Sequence, residues 1–89
     1  MRANRLVAFN IRKLRVQKGL SQETLAFHSQ IDRTYVSRLE RGLENPTVAV
    51  LERICEAINC DIPTLFIRPA PGERRAAPLK GGPKVYEKG

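Results

Sequence analysis

The chain has 89 residues, 42% of them apolar and 28% charged, which is enough for one small domain and too little for two. Its formal charge of +7 favours an anionic partner, either nucleic acid or an acidic surface. No apolar run approaches the roughly 18 residues of a membrane span. No secretory pattern is visible, and two cysteines with one histidine fit neither a disulfide framework nor a common zinc spacing, so a cytoplasmic protein without metal or cofactor is expected.

The first predicted helix runs from a cap at Asn4 to about Lys18. At about 100° per residue Val7, Ile11 and Leu14 share one stripe, which should face the core, while Phe9 and Val16 are left on the opposite side. Gly19 suits the left-handed stop of this helix. Ser21 caps a second helix that includes Leu25 and Ala26. No Glu follows at the third position, so the full capping box is absent, although Glu23 in the first turn suits the helix dipole. Ser29-Gln30-Ile31 makes a tight turn, Asp32 caps the third helix, and Gly42 ends it. Asn45-Pro46-Thr47 opens a fourth helix capped by Thr47, with Val48, Leu51, Ile54, Cys55 and Ile58 as a broad apolar face. Cys60-Asp61-Ile62-Pro63 starts a last short helix through Leu65 and Phe66. The expected fold is all-α, a compact five-helix domain over residues 4–67.

Beyond Arg68 the composition changes to four prolines, four glycines and scattered charges, and residues 68–89 are expected to be a flexible basic tail. Six basic side chains against two acidic ones give this tail more than half of the net charge. Bulk basicity is therefore mostly a tail property, and the case for DNA must rest on where arginines sit within the domain.

With Arg33 at 0° on the third helix, Ser37 falls at about 40°, Arg41 at about 80°, Thr34 at about 100° and Arg38 at about 140°. Tyr35, Val36 and Leu39 lie between about 200° and 300°. One face is wholly polar with three arginines; the other is mostly apolar. An arginine can donate two parallel hydrogen bonds to guanine O6 and N7. Thr34 offers a methyl to thymine or a hydroxyl to other edges, and Arg41, near the helix end, is better placed for phosphate. Gln22 sits in the first turn of the second helix, where backbone N–H groups suit a phosphate. Any surface helix has a charged face; the Gln22 helix and the tight turn before this one raise it above that ordinary reading.

Residues 7–66 resemble the helix-turn-helix domain of the phage repressors, the Cro proteins and many bacterial regulators, with the motif itself at about 22–41. Glycines, caps, apolar stripes and the glutamine fall at matching spacings. The resemblance implies that Arg33, Thr34, Ser37 and Arg38 occupy base-reading positions and that Gln22 contacts phosphate and steadies the reading helix. Tyr35 lies where relatives use an aromatic on the DNA backbone, or else packs on the second helix near Phe27. Asn45, in the following loop, is counted with the DNA-binding set. Arg15 and Glu40 match an ion pair that ties the first helix to the reading helix; the alternative is two solvated charges. The pattern departs at the turn, where a glycine usually stands in place of Gln30. Left-handed geometry there would cost roughly 1–2 kcal/mol, unless the turn takes another shape. Around Arg33-Thr34-Tyr35-Val36-Ser37 the chain also resembles the controller proteins of restriction–modification systems, although Glu44 replaces a residue often basic in them.

His28 is expected to be partly exposed. Cys55 is expected to be a buried structural thiol, with a redox switch involving Cys60 as the minority reading. The function these features imply is a homodimeric, sequence-specific regulator of transcription, a repressor that binds double-stranded DNA. The dimer is expected on the fourth and fifth helices through Val50, Ile58, Leu65, Phe66 and Ile67, with Phe9 and Val16 as the rival surface. The alternative is an antitoxin-type module whose tail folds on a partner protein, which Pro69, Pro71, Pro78 and Pro83 oppose. No activated nucleophile, paired carboxylates or cofactor loop suggests an enzyme. A small-molecule effector is not expected but stays open.

Overall fold

The computed structural model describes residues 2–77. Four α-helices follow in order, α1 (Ala3–Gln17), α2 (Gln22–Ser29), α3 (Arg33–Glu40) and α4 (Val48–Ile58), and a 3-10 turn covers Ile62–Phe66. Among the described residues there is no strand.

Three helix starts follow directly from local chemistry. Ser21, Asp32 and Thr47 hold extended backbone, and their side chains accept from the N–H of Thr24 (2.9 Å), Thr34 (3.0 Å) and Val50 (3.1 Å). Each such cap contributes about 1 kcal/mol. The start of α1 differs from expectation. Arg2 is its cap and makes no side-chain bond, while Asn4 lies inside the first turn and donates from Nδ2 to the Gly42 carbonyl at 3.1 Å. A contact to the end of α3 has taken the side chain that local preference assigned to capping.

The turn between α2 and α3 keeps the left-handed geometry despite its glutamine. Gln30 has φ 58° and ψ 45°, and the Ile31 N–H reaches back to the Ala26 carbonyl at 3.0 Å. Just before it, the Ser29 hydroxyl is buried and has no hydrogen-bond partner among the described residues.

The core draws on every element: Val7 and Ile11, Leu25 and Ala26, Val36 and Leu39, Leu51, Ile54, Cys55 and Ile58, and Leu65. Leu14 packs against it, half-buried. Two residues assigned to a dimer patch are therefore core instead. Ile58 completes the inner face of α4, and Leu65 is fully enclosed, leaving Val48, Phe66 and Ile67 as the exposed apolar side chains of this end. The last element is a 3-10 turn rather than an α-helix, five residues long with Pro63 at its start. Asn10 on α1 fixes it, donating from one amide nitrogen to the carbonyls of Leu65 and Ile67 at 2.8 Å each. At the end of α4 the Cys60 Sγ lies 3.3 Å from the Cys55 Sγ, both thiols free. Burial, then the contact with Cys60, pushes the Cys55 thiol up to about 12.

The tail expected to be flexible from residue 68 begins by lying along α1. Lys13 pairs with Glu73 at 2.7 Å, Arg12 Nε donates to the Ala76 carbonyl at 2.8 Å, and Arg75 Nη2 donates to the Glu40 carbonyl at 3.3 Å. The side of α1 left over by the core stripe is thus where this segment returns. The remainder of that expectation, residues 78–89, falls outside the described residues.

Candidate nucleic-acid interface

The polar face of α3 stands as the wheel places it. Arg33, Thr34, Arg38 and Arg41 are exposed and Ser37 is half-buried, while Val36 and Leu39 on the far side are fully buried. Asp32 fixes where this helix begins and Gly42, at φ +76°, where it stops, so the arginine row is short and rigidly phased.

What sets the angle of α3 is a buried carboxylate. Glu40 is a bidentate partner of Arg15, with Nε to Oε2 at 2.6 Å and Nη2 to Oε1 at 3.0 Å. Gln22 Nε2 adds a bond to Oε1 at 3.1 Å, and Arg12 Nη1 stands 3.6 Å from the same oxygen. Arg15 also donates to the Leu20 carbonyl at 2.7 Å. The side chain of Glu40 is wholly enclosed and that of Arg15 is 5% exposed, so this is no solvated pair. One carboxylate thereby joins α1, the start of α2 and the end of α3. Planar bidentate geometry suits such a role, since it fixes orientation as well as distance.

Gln22 is thus half-buried and bound to Glu40 through its amide nitrogen, at the first turn of α2. Tyr35 is half-buried against the core; burial, then the charge of Glu44, raises its phenol above the usual range. Phe27, its suggested neighbour on α2, is 78% exposed, and its ring meets His28 edge-on with centroids 5.4 Å apart. Asn45 is exposed in the loop after α3.

Sequence reasoning left out two partners here. Glu44 binds Arg38, with Nε to Oε2 at 2.7 Å, and the Leu43 carbonyl lies 3.5 Å from Arg38 Nη2. Glu44 was noted only as a departure from a family pattern; its place six residues after Arg38, across a helix end, gave no periodic signal. Arg12 is the other. Its guanidinium is held below its usual basicity by burial and then by Arg75, with Glu40 working the opposite way.

Among the described residues no cluster of three or more His, Cys, Asp or Glu could hold a metal ion, and no helix is long and apolar enough to cross a membrane. Exposed donors in a phased row, backed by a rigid frame, can recognise acceptors on a polyanion.

Comparison with known proteins agrees with that reading. The sequence pattern of the family described as helix-turn-helix matches residues 11–65. The control protein C.SmaI of Serratia marcescens is 38% identical over 63 residues, 71% of this chain and 75% of that protein. The crystal structure of the restriction–modification controller C.AhdI from Aeromonas hydrophila superposes with a TM-score of 0.69 at 40% identity, covering 71% of this chain and 96% of that one. A similar match, TM-score 0.68 at 38% identity over 74% of this chain and 87% of that one, is to the controller C.Esp1396I, a tetramer in complex with its natural 35-base-pair operator.

Proposed function

The chain belongs to the helix-turn-helix family, and we propose that it is a homodimeric, sequence-specific regulator of transcription that reads the major groove of duplex DNA with α3. The observation that carries this reading is the exposed arginine face of α3, held at one angle by the buried Glu40. In this reading Arg33, Thr34, Ser37 and Arg38 meet base edges, and each bidentate arginine is worth about 1–3 kcal/mol of discrimination. Gln22, Tyr35, Arg41 and Asn45 meet the sugar–phosphate backbone, which sets register without reading sequence. Gln22 is suited to this because its side chain is already oriented by Glu40 and loses little freedom on docking.

One module of this kind buries roughly 600–1,000 Å² on DNA, less than specific operators generally need, so two copies act together. Val48 on α4 and Phe66 and Ile67 at the end of the 3-10 turn expose apolar surface suited to a two-fold contact. Such a dimer sets its reading helices about 34 Å apart and selects inverted half-sites one helical turn apart. Repression by occupying an operator, residence in the cytoplasm and the lack of enzymic activity follow from the same reading. The toxin-neutralising alternative has less support, because Glu73 and Ala76 of the tail are already bound by Lys13 and Arg12 of the chain's own α1.

Selection of bound sites from random duplex DNA tests the proposal. The expected product is an inverted repeat with half-site centres about 10 base pairs apart. Log affinity should fall linearly with log salt, by about 0.9 per phosphate neutralised. Recovery of no motif, or equal affinity for single strands, would sink it.

A further inference from the structure

At the end of α3 the polar face does not stop at Arg41. A hollow of about 160 Å³ lies between that helix end, α1 and the returning tail, and Arg5, Phe9, Arg41, Gly42 and Arg75 line it. Three separate segments therefore bring one arginine each to the same hollow. Arg5 reaches it by lying over Gly42, where a Cβ would stand 3.3 Å from the Arg5 Cγ. Arg75 reaches it because Lys13 and Arg12 pin the tail on either side, at Glu73 and Ala76.

None of the three arginines has a carboxylate partner among the described residues. Glu40 borders the hollow, but its carboxylate is enclosed and already engaged by Arg15 and Gln22; only its carbonyl meets Arg75. Like charges gathered without a counter-charge repel, and the loss of basicity at neighbouring Arg12 has Arg75 among its causes. An anion seated in the hollow removes that repulsion and gains charge-assisted hydrogen bonds from planar forks that suit phosphate. Arg41 belongs both to the polar face of α3 and to this hollow, so an anion here lies on the continuation of the DNA-facing row.

We propose that Arg5, Arg41 and Arg75 form a seat for a DNA backbone phosphate, which makes the returning tail a working part of the DNA-binding surface. This rests on the reading of α3 as the groove-binding helix. It assigns the tail a fixed contact in place of a diffuse attraction by its net charge.

The test uses the full chain and measures affinity for a selected duplex and for a random duplex across a range of salt. Arg75→Gln and Arg5→Gln should each make the salt slope shallower, by up to about 0.9 where the phosphate contact is lost entirely, and should weaken both duplexes by the same factor. Arg74→Gln removes the same charge one residue away and outside the hollow; its slope should match that of the unaltered chain. Unchanged thermal melting of all three variants confirms that the fold is not the cause. A slope lowered equally by Arg74→Gln would overturn the seat in favour of diffuse charge, and no change with Arg75→Gln would overturn it outright. NMR of the arginine Nε groups gives a further arm. If inorganic phosphate moves the Arg75 signal and duplex DNA does not, the hollow takes a free anion and the proposal fails. Failure of the unaltered chain to bind any duplex would instead refute the groove-reading function on which the proposal stands.

Discussion

Two arginine–glutamate pairs each place one partner on the short helix α3 and differ by 0.1 Å in their closest approach, 2.6 Å for Arg15–Glu40 and 2.7 Å for Arg38–Glu44. Their surroundings are opposite. The first pair is 5% and 0% exposed, the second 46% and 27%. In the buried pair neither charge has water to return to, so the partners are obligatory and the geometry of three helices depends on them. In the exposed pair water competes for both groups, so Glu44 holds Arg38 loosely and a better acceptor can take it. Length alone separates neither stability from recognition; burial does.

The largest expected effect comes from opening the buried pair. Arg15→Ala or Glu40→Ala should each cost about 3–5 kcal/mol in denaturant melts, because the remaining charge stays enclosed without its partner. The double mutant should be far less destabilised than the sum of the two single changes. Additive losses below about 1 kcal/mol would erase the contrast between the pairs.

Breaking the exposed pair should move binding and leave the fold alone. Arg38→Ala should change stability by less than about 1 kcal/mol, yet cost roughly 1–3 kcal/mol in affinity for a selected site and relax preference at one base position. Glu44→Gln frees the same arginine, so random duplex should bind more tightly while melting is unchanged. A stability loss from Arg38→Ala as large as that from Arg15→Ala would show that the outer pair is structural too.

A smaller effect, of the opposite sign, is expected at the turn that sets the spacing between α2 and α3. Gln30→Gly relieves left-handed strain of roughly 1–2 kcal/mol, less the extra chain freedom glycine loses on folding. A net gain of up to about 1 kcal/mol in denaturant midpoint analysis is the expected result; a loss would mean that Gln30 makes a contact worth more than its strain.

The smallest effect concerns the third and intermediate pair, Lys13–Glu73. The Glu73 carboxyl is held below its ordinary 4.5, first by the hydrogen bond with Lys13 and then by the Ala70 N–H. A lowered folded value means that this pair favours tail docking above the ordinary carboxylate range and ceases to do so as pH falls through the depressed value. Acid titration followed at the Arg12 Nε signal should show the tail loosening below pH 4.5, before the core melts. A tail contact that persists until global unfolding would show that Glu73 does not hold it.

What the sequence made legible was local or periodic. Ser21, Asp32 and Thr47 were readable as caps because their acceptors sit two or three residues from the N–H they serve. The faces of α3 were readable because 3.6-residue periodicity sorts charge from apolar side chains without knowledge of the partner surface. Arg15 with Glu40 was legible only through a familiar spacing, since nothing local joins residues 25 apart. Asn4 misled because capping preference is weak beside a tertiary hydrogen bond to Gly42. Leu65 and Ile58 misled because a run of apolar residues does not say which of them turns inward. The tail was the least legible part: a Pro- and Gly-rich segment has no period, and its anchors on Arg12 and Lys13 are defined only once α1 exists.

The single amide of Asn10, holding the carbonyls of Leu65 and Ile67, has a consequence for how the chain is made. It spans 55 and 57 residues, and the enclosed Leu65 arrives with it. The first helix leaves the ribosome early but finds the last piece of its core only after residue 67 has emerged. At synthesis rates of about 5–20 residues per second, α1 waits about 3–10 s with its apolar stripe unsheltered. Until the 3-10 turn has left the ribosome and docked, the core lacks Leu65, so a chain cut short before Leu65 is expected to present a chaperone substrate.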